Sequence, residues 1–104
     1  MTQTDDLRER EILDKAVAIL RDSLSPSRIL LFGSRARKRH SLGADFDIAV
    51  DHPRPQFRQE RKILESVNEC AGLHRIDVVY LPDVEEDFRA MILETAQVLY
   101  EKPA

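Results

Sequence analysis

Apolar residues recur along the chain with two different periods. Between residues 6 and 23, Leu13, Val17, Leu20 and, just beyond, Leu24 follow the three-to-four spacing of a helix with one buried stripe. Asp6, with Glu9 three residues on, makes a capping-box-like start, and Ser25-Pro26-Ser27 ends the helix. Arg28 to Phe32 is short and almost continuously apolar, the pattern of a strand covered on both faces. Residues 45 to 51 alternate strictly: Asp45, Asp47, Ala49 and Asp51 fall on one face, Phe46, Ile48 and Val50 on the other. A second helix is expected over 56 to 71, with Phe57, Leu64, Val67 and Ala71 inward and Gly72 closing it. Arg75 to Leu81 reads as a third strand, with Ile76, Val78 and Tyr80 opposite Asp77, Val79 and Leu81. Pro82 stops it, a third helix is expected over 84 to 95, and Val98-Leu99-Tyr100 adds a short edge strand. Helices alternating with strands predict an α/β fold of two or three layers, a small mixed β-sheet with helices packed on it.

Length and charge narrow the function classes. The 104 residues are expected to form one domain spanning 1–104. The net charge of −3 argues against a general polyanion binder, and no direct nucleic-acid partner is expected. Yet five of the six residues from Arg35 to His40 are basic, a local patch suited to a small anionic ligand. Cys70 is the single cysteine, so no intrachain disulfide can form. No apolar run approaches a membrane span and the first residues lack the features of a signal peptide, so the expected location is cytoplasmic, with no membrane partner.

The candidate chemistry gathers between residues 31 and 51. Gly33-Ser34 ends the first strand, ten residues follow, and Asp45 and Asp47 stand two apart on the second. Residues two apart on a strand point the same way with origins about 6–7 Å apart, so both carboxylates can reach one hard cation. Without a cation the two charges repel by about 2–3 kcal/mol at an effective dielectric near 20. A solvated strand face would also carry such a pair, and an ordinary strand-to-helix turn would also carry Gly-Ser. Ser34 can cap a short helix over 35 to 39, where unpaired N–H groups favour an anion, before a loop at 41 to 44. Joining the two motifs across one gap is far more specific than either half.

Asp77 stands in an apolar strand, where an acid is expensive unless paired, hydrogen-bonded or metal-bound. It can complete a three-carboxylate set if its strand neighbours residues 45 to 51, or pair with Arg75 as an edge-strand acid. Arg35, Arg37, Lys38 and Arg39 can neutralise phosphates or form a solvated face. Asp51 lies too far along its strand for the same ion, His40, His52 and His74 share no ligand spacing, and Cys70 reads as a small buried hydrophobe.

These residues resemble the minimal nucleotidyltransferase (MNT) branch of the DNA polymerase β-like nucleotidyltransferase superfamily over nearly the whole chain. The family pattern of Gly-Ser, a gap, Asp-x-Asp and a later acid falls on Gly33, Ser34, Asp45, Asp47 and Asp77. Gly-Ser-Arg-Ala-Arg looks like the family loop, and Phe88-Arg89 through Tyr100 like its closing helix and strand. Lys38 stands where the family usually has Gly, and Ala44 where it often has Ser. The resemblance implies a polymerase β-like nucleotidyltransferase fold and transfer of AMP from ATP with two Mg2+ ions held by Asp45, Asp47 and Asp77. Asp77 would help deprotonate the incoming hydroxyl, while Gly33, Ser34, Arg35, Arg37 and Lys38 would hold the nucleotide phosphates. It further implies a HEPN-type toxin as partner, modified on a tyrosine and so neutralised, in a homo- or hetero-oligomer. With one domain expected, the acceptor is expected to come from a partner. A non-catalytic antitoxin that blocks by contact, and an enzyme acting on a small molecule, are the rival readings.

Overall fold

A computed structural model describes residues 2–33 and 45–103, with side chains from Leu7 onward. Helix α1 runs Thr2–Leu24, strand β1 Arg28–Phe32 and strand β2 Phe46–Val50. Helix α2 (Phe57–Ala71), strand β3 (Ile76–Tyr80), a 3-10 turn (Leu81–Asp83), helix α3 (Glu86–Thr95) and strand β4 (Gln97–Glu101) follow. The four strands form one mixed sheet in the order β3-β2-β1-β4. β1 is antiparallel to both β2 and β4, whereas β2 and β3 are parallel, joined by α2 because a parallel pair needs a long crossover.

The alternation along each strand divides two cores. Ile29 and Leu31 of β1, Phe46, Ile48 and Val50 of β2, and Ile76 and Tyr80 of β3 face α1 and α2. Leu30, Phe32 and Ala49 face the other way and pack with Leu81 and with Ile92 of α3. The result is three layers, an α/β fold as the periodicities predict. Among the described residues no helix is long and apolar enough to cross a membrane.

Each long helix buries half of its expected stripe, Leu20 and Leu24 in α1 and Val67 and Ala71 in α2, and replaces the rest. α1 buries Ile12, Ala16, Leu20 and Leu24, with Leu13 and Val17 only flanking the core. Ala16 is fully buried, which its weak hydrophobicity hides in the sequence. α2 buries Ile63, Val67 and Ala71, while Phe57 is 65% and Leu64 40% exposed. Leu64 lies about 100° round the helix from Ile63, and Phe57 sits at the open end. Cys70, next to Ala71, is likewise only half-buried, its Sγ donating to the Val67 carbonyl at 3.0 Å. Asp6 is not a cap, because α1 already begins at Thr2 and nothing in Thr-Gln-Thr-Asp breaks a helix.

Helix ends elsewhere follow the sequence. Ser25 takes a left-handed conformation (φ 50°), its N–H donates to Arg21 O at 2.9 Å, and Pro26 follows. Gly72 closes α2 at φ 66°.

Candidate functional site

The sheet register brings the separated motifs together. Phe32, the last residue of β1, pairs with Asp47 on β2, and Asp47 pairs in turn with Asp77 on β3. Asp47 is therefore central, with Gly33 on one side and Asp77 on the other. Neighbouring strands lie about 4.8 Å apart, so the two carboxylates start from adjacent positions on one face. Asp45 precedes β2 and is exposed; Asp47 and Asp77 are half-buried.

Gly33 turns the chain out of β1 at φ 78°, a conformation that costs an L-residue about 1–2 kcal/mol. A Cβ built on it would lie 2.6 Å from Asp47 Oδ2, so a side chain here would have to displace the carboxylate. Burial first, then the charges of Asp77 and Asp45, hold the Asp47 carboxyl above the usual carboxylate range. Asp47 thus feels the charge of both other acids.

They do not form a finished ligand cage. Among the described residues no three His, Cys, Asp or Glu side chains converge on a point able to hold a metal ion. Asp77 is engaged instead by Arg75, whose Nε lies 3.3 Å from its Oδ1. β3 is also an edge strand, so the edge-acid pairing and the neighbourhood with Asp47 are both present. Ser34, Arg35, Arg37, Lys38, Arg39, His40 and Ala44, with the short helix and loop expected there, lie outside the described residues.

Asp51, His52 and His74 each have a neighbour of their own. Asp51, at the other end of β2, accepts from Arg28 Nη2 at 3.1 Å and Nε at 3.3 Å. His74 packs edge-on to Phe46, and His52 Nδ1 lies 2.6 Å from Pro53 O.

Two supporting residues were not singled out by sequence reasoning. The Asn68 amide bridges α2 to the start of β3, accepting from Ile76 N–H at 2.8 Å and donating to Ile76 O at 3.0 Å. It holds the residue next to Asp77. Arg89 binds three carbonyls of the turn after β3: Leu81 at 2.8 Å, Pro82 at 3.3 Å and Val84 at 3.0 Å. A polar residue on a helix beside apolar neighbours was the available signal for Asn68; nothing local marked Arg89.

Residues 14–104 match the family model described as polymerase beta, nucleotidyltransferase. A search among curated proteins finds none that matches. Among solved structures, a toxin–antitoxin complex with AMP-PNP superposes at a TM-score of 0.76 with 20% identity, over 86% of this chain and 73% of that one. A tri-AMPylated Shewanella oneidensis HEPN toxin in complex with MNT antitoxin gives 0.69 at 19% identity, over 88% and 71%. A minimal nucleotidyltransferase gives 0.71 at 20% identity, over 89% and 92%. At such identities these likenesses concern the fold. With the family model spanning most of its length, and with the mixed sheet and Gly33–Asp47 meeting point in place, the chain belongs to the polymerase β nucleotidyltransferase family.

Proposed function

We propose that this chain is a Mg2+-dependent nucleotidyltransferase that moves AMP from ATP onto a hydroxyl of a HEPN-type toxin, a tyrosine in the first instance, and so acts as its cytoplasmic antitoxin. The observation that carries the reading is the meeting of Gly33 with Asp47, and of Asp47 with Asp77, on one face of the sheet. Family membership supports nucleotidyl transfer as the reaction class. The solved neighbours with AMP-PNP and with a tri-AMPylated HEPN toxin support the donor, the partner and the modification.

The donor set suits Mg2+. Asp45, Asp47 and Asp77 offer only hard oxygens, and the raised Asp47 marks a cluster that a cation would neutralise. When bound, two such ions would supply charge stabilisation for the attacking and leaving oxygens of an in-line displacement. Asp45 and Asp47 would hold them, with Asp77 completing the set. Gly33, free of a side chain, would let backbone approach the donor's β- and γ-phosphates. Ser34, Arg35, Arg37 and Lys38 would add hydrogen bonds and positive charge there. The acceptor oxygen forms its bond to the α-phosphorus as the bond to the bridging oxygen breaks. Pyrophosphate leaves, and Asp77 takes the hydroxyl proton. Most of the acceleration then comes from positioning and electrostatics.

Purified chain, partner, ATP and Mg2+ should together add one or more adenylyl groups to the partner, read by intact-protein mass. Asp45→Asn/Asp47→Asn should abolish the addition, and Ser34→Ala should slow it less than Asp47→Asn does. A partner neutralised equally well by wild type and by the double variant, with no mass change, would leave inhibition by contact as the function.

A further inference from the structure

Arg75 lies just before the edge strand β3 and Asp77 is two residues on, within it. The backbone beneath them is held on two sides. Arg75 O accepts from Phe46 N–H at 2.8 Å, and both polar groups of Ile76 are bound by Asn68. The Arg75 side chain itself is 71% exposed, and it engages the Asp77 carboxylate at 3.3 Å. Asp77 is also the residue beside Asp47, and among the described residues no three ligand side chains converge. One carboxylate therefore has two competing claims, from its own strand's cation and from a cation held with Asp47.

We infer that Arg75 is a positioning residue that holds Asp77 away from the Asp45/Asp47 pair until a divalent metal displaces it. This rests on the reading of those aspartates as a metal site. The guanidinium cannot join a cation site itself, since it offers only donors and a like charge. Its contact is with Oδ1 alone, so it competes for the orientation of the Asp77 carboxylate rather than for every ligand atom of that group. The contact is an exposed ion pair, so the competition is mild and reversible. It sets how much metal the site needs rather than whether the site can work.

The test is a titration of the full chain with Mn2+ alone, without nucleotide, following free Mn2+ by electron paramagnetic resonance. Arg75→Gln should tighten Mn2+ binding about two- to fivefold, the size of one exposed ion pair. Asp77→Asn should weaken it. In the Asp77→Asn background, Arg75→Gln should change nothing, because the residue acts through Asp77. Equal tightening in both backgrounds would mean that Arg75 acts only as a nearby positive charge, and would overturn the inference. Wild-type binding that Arg75→Gln leaves unchanged would overturn it too. Wild type that takes up no Mn2+ would fail differently, removing the metal reading and this one with it.

Discussion

Gly33 and Asp47 occupy one space: a Cβ on the glycine would sit 2.6 Å from Oδ2 of the aspartate. The two residues lie on different strands, and the pairing of Phe32 with Asp47 brings them together. A backbone turn without a side chain thereby meets a carboxylate kept above its usual range by burial and by two acidic neighbours. Phosphate approach and cation binding need those two features side by side.

Gly33→Ala should therefore do two separable kinds of damage. The left-handed backbone should cost about 1–2 kcal/mol of stability. The new methyl group should also push the Asp47 carboxylate aside. We expect a melting temperature lower by roughly 4–8 °C per kcal/mol in a domain of this size. The nucleotidyl transfer proposed above should fall by more than tenfold at temperatures where the variant is fully folded. Full activity in a folded Gly33→Ala protein would refute the shared-space argument.

The raised Asp47 carboxyl sets the sign of a pH effect. Its folded value lies above the ordinary 3.8, so the folded state binds its proton more readily than the unfolded chain does. That contribution to stability is complete below the ordinary value and is lost as pH rises through the folded one. In EDTA, Asp47→Asn should thus be at least as stable as wild type at neutral pH, the gap closing as pH falls toward 4. Thermal melts of both proteins across that range would check it. A variant that is less stable at neutral pH would point to a stabilising role for the charge.

Asn68→Ala removes both partners of Ile76, a residue with no solvent exposure. A buried polar group left unpaired costs about 1–3 kcal/mol, so chemical denaturation should show a loss in that range. Asn68→Asp should restore only part of it, since a carboxylate accepts from the N–H but cannot donate to the carbonyl.

Ser25→Gly should stabilise the protein. Ser25 holds φ 50° at the end of α1, where glycine meets no Cβ penalty. Against this stands glycine's greater freedom in the unfolded chain, about 0.4–1 kcal/mol. The net gain should be a few tenths of a kcal/mol, visible as a higher denaturation midpoint with an unchanged slope. A lower midpoint would show that the Ser25 side chain contributes more than its strain removes.

The rhythm of the chain carried the strands almost residue for residue. β1 is Arg28–Phe32 as the apolar run predicts, and β2 and β3 fall within 45 to 51 and 75 to 81 with the expected residues sharing each face. A strand's alternation is strict because each residue reverses direction, so one misassigned position is betrayed by its neighbours. The helices were less exact. A stripe such as Ile12, Ala16, Leu20 and Leu24 competes with Leu13 and Val17 only one position away, and the sheet beneath decides which is buried.

The candidate residues, Gly33, Asp45, Asp47 and Asp77, were all nameable from local pattern, because Gly-Ser at a strand end, acids two apart and an acid set in an apolar strand each stand out along the chain. Their adjacency was not. Periodicity tells which face a residue takes but not which strand lies beside it, and only the tertiary pairing put Asp77 next to Asp47 and Phe32 opposite it. The edge position of β3 with the Arg75–Asp77 pair was one of two alternatives in the sequence that the fold selected, whereas Asn68 holding Ile76 had not been singled out. These are contacts between segments, or choices among several nearby partners, settled by which hydrogen-bonding edges the packed helices leave free. The amino-acid order determined the elements, their faces and the stock of reactive groups. The folded sheet alone decided which of those groups meet, because meeting depends on the register of strands that are distant along the chain.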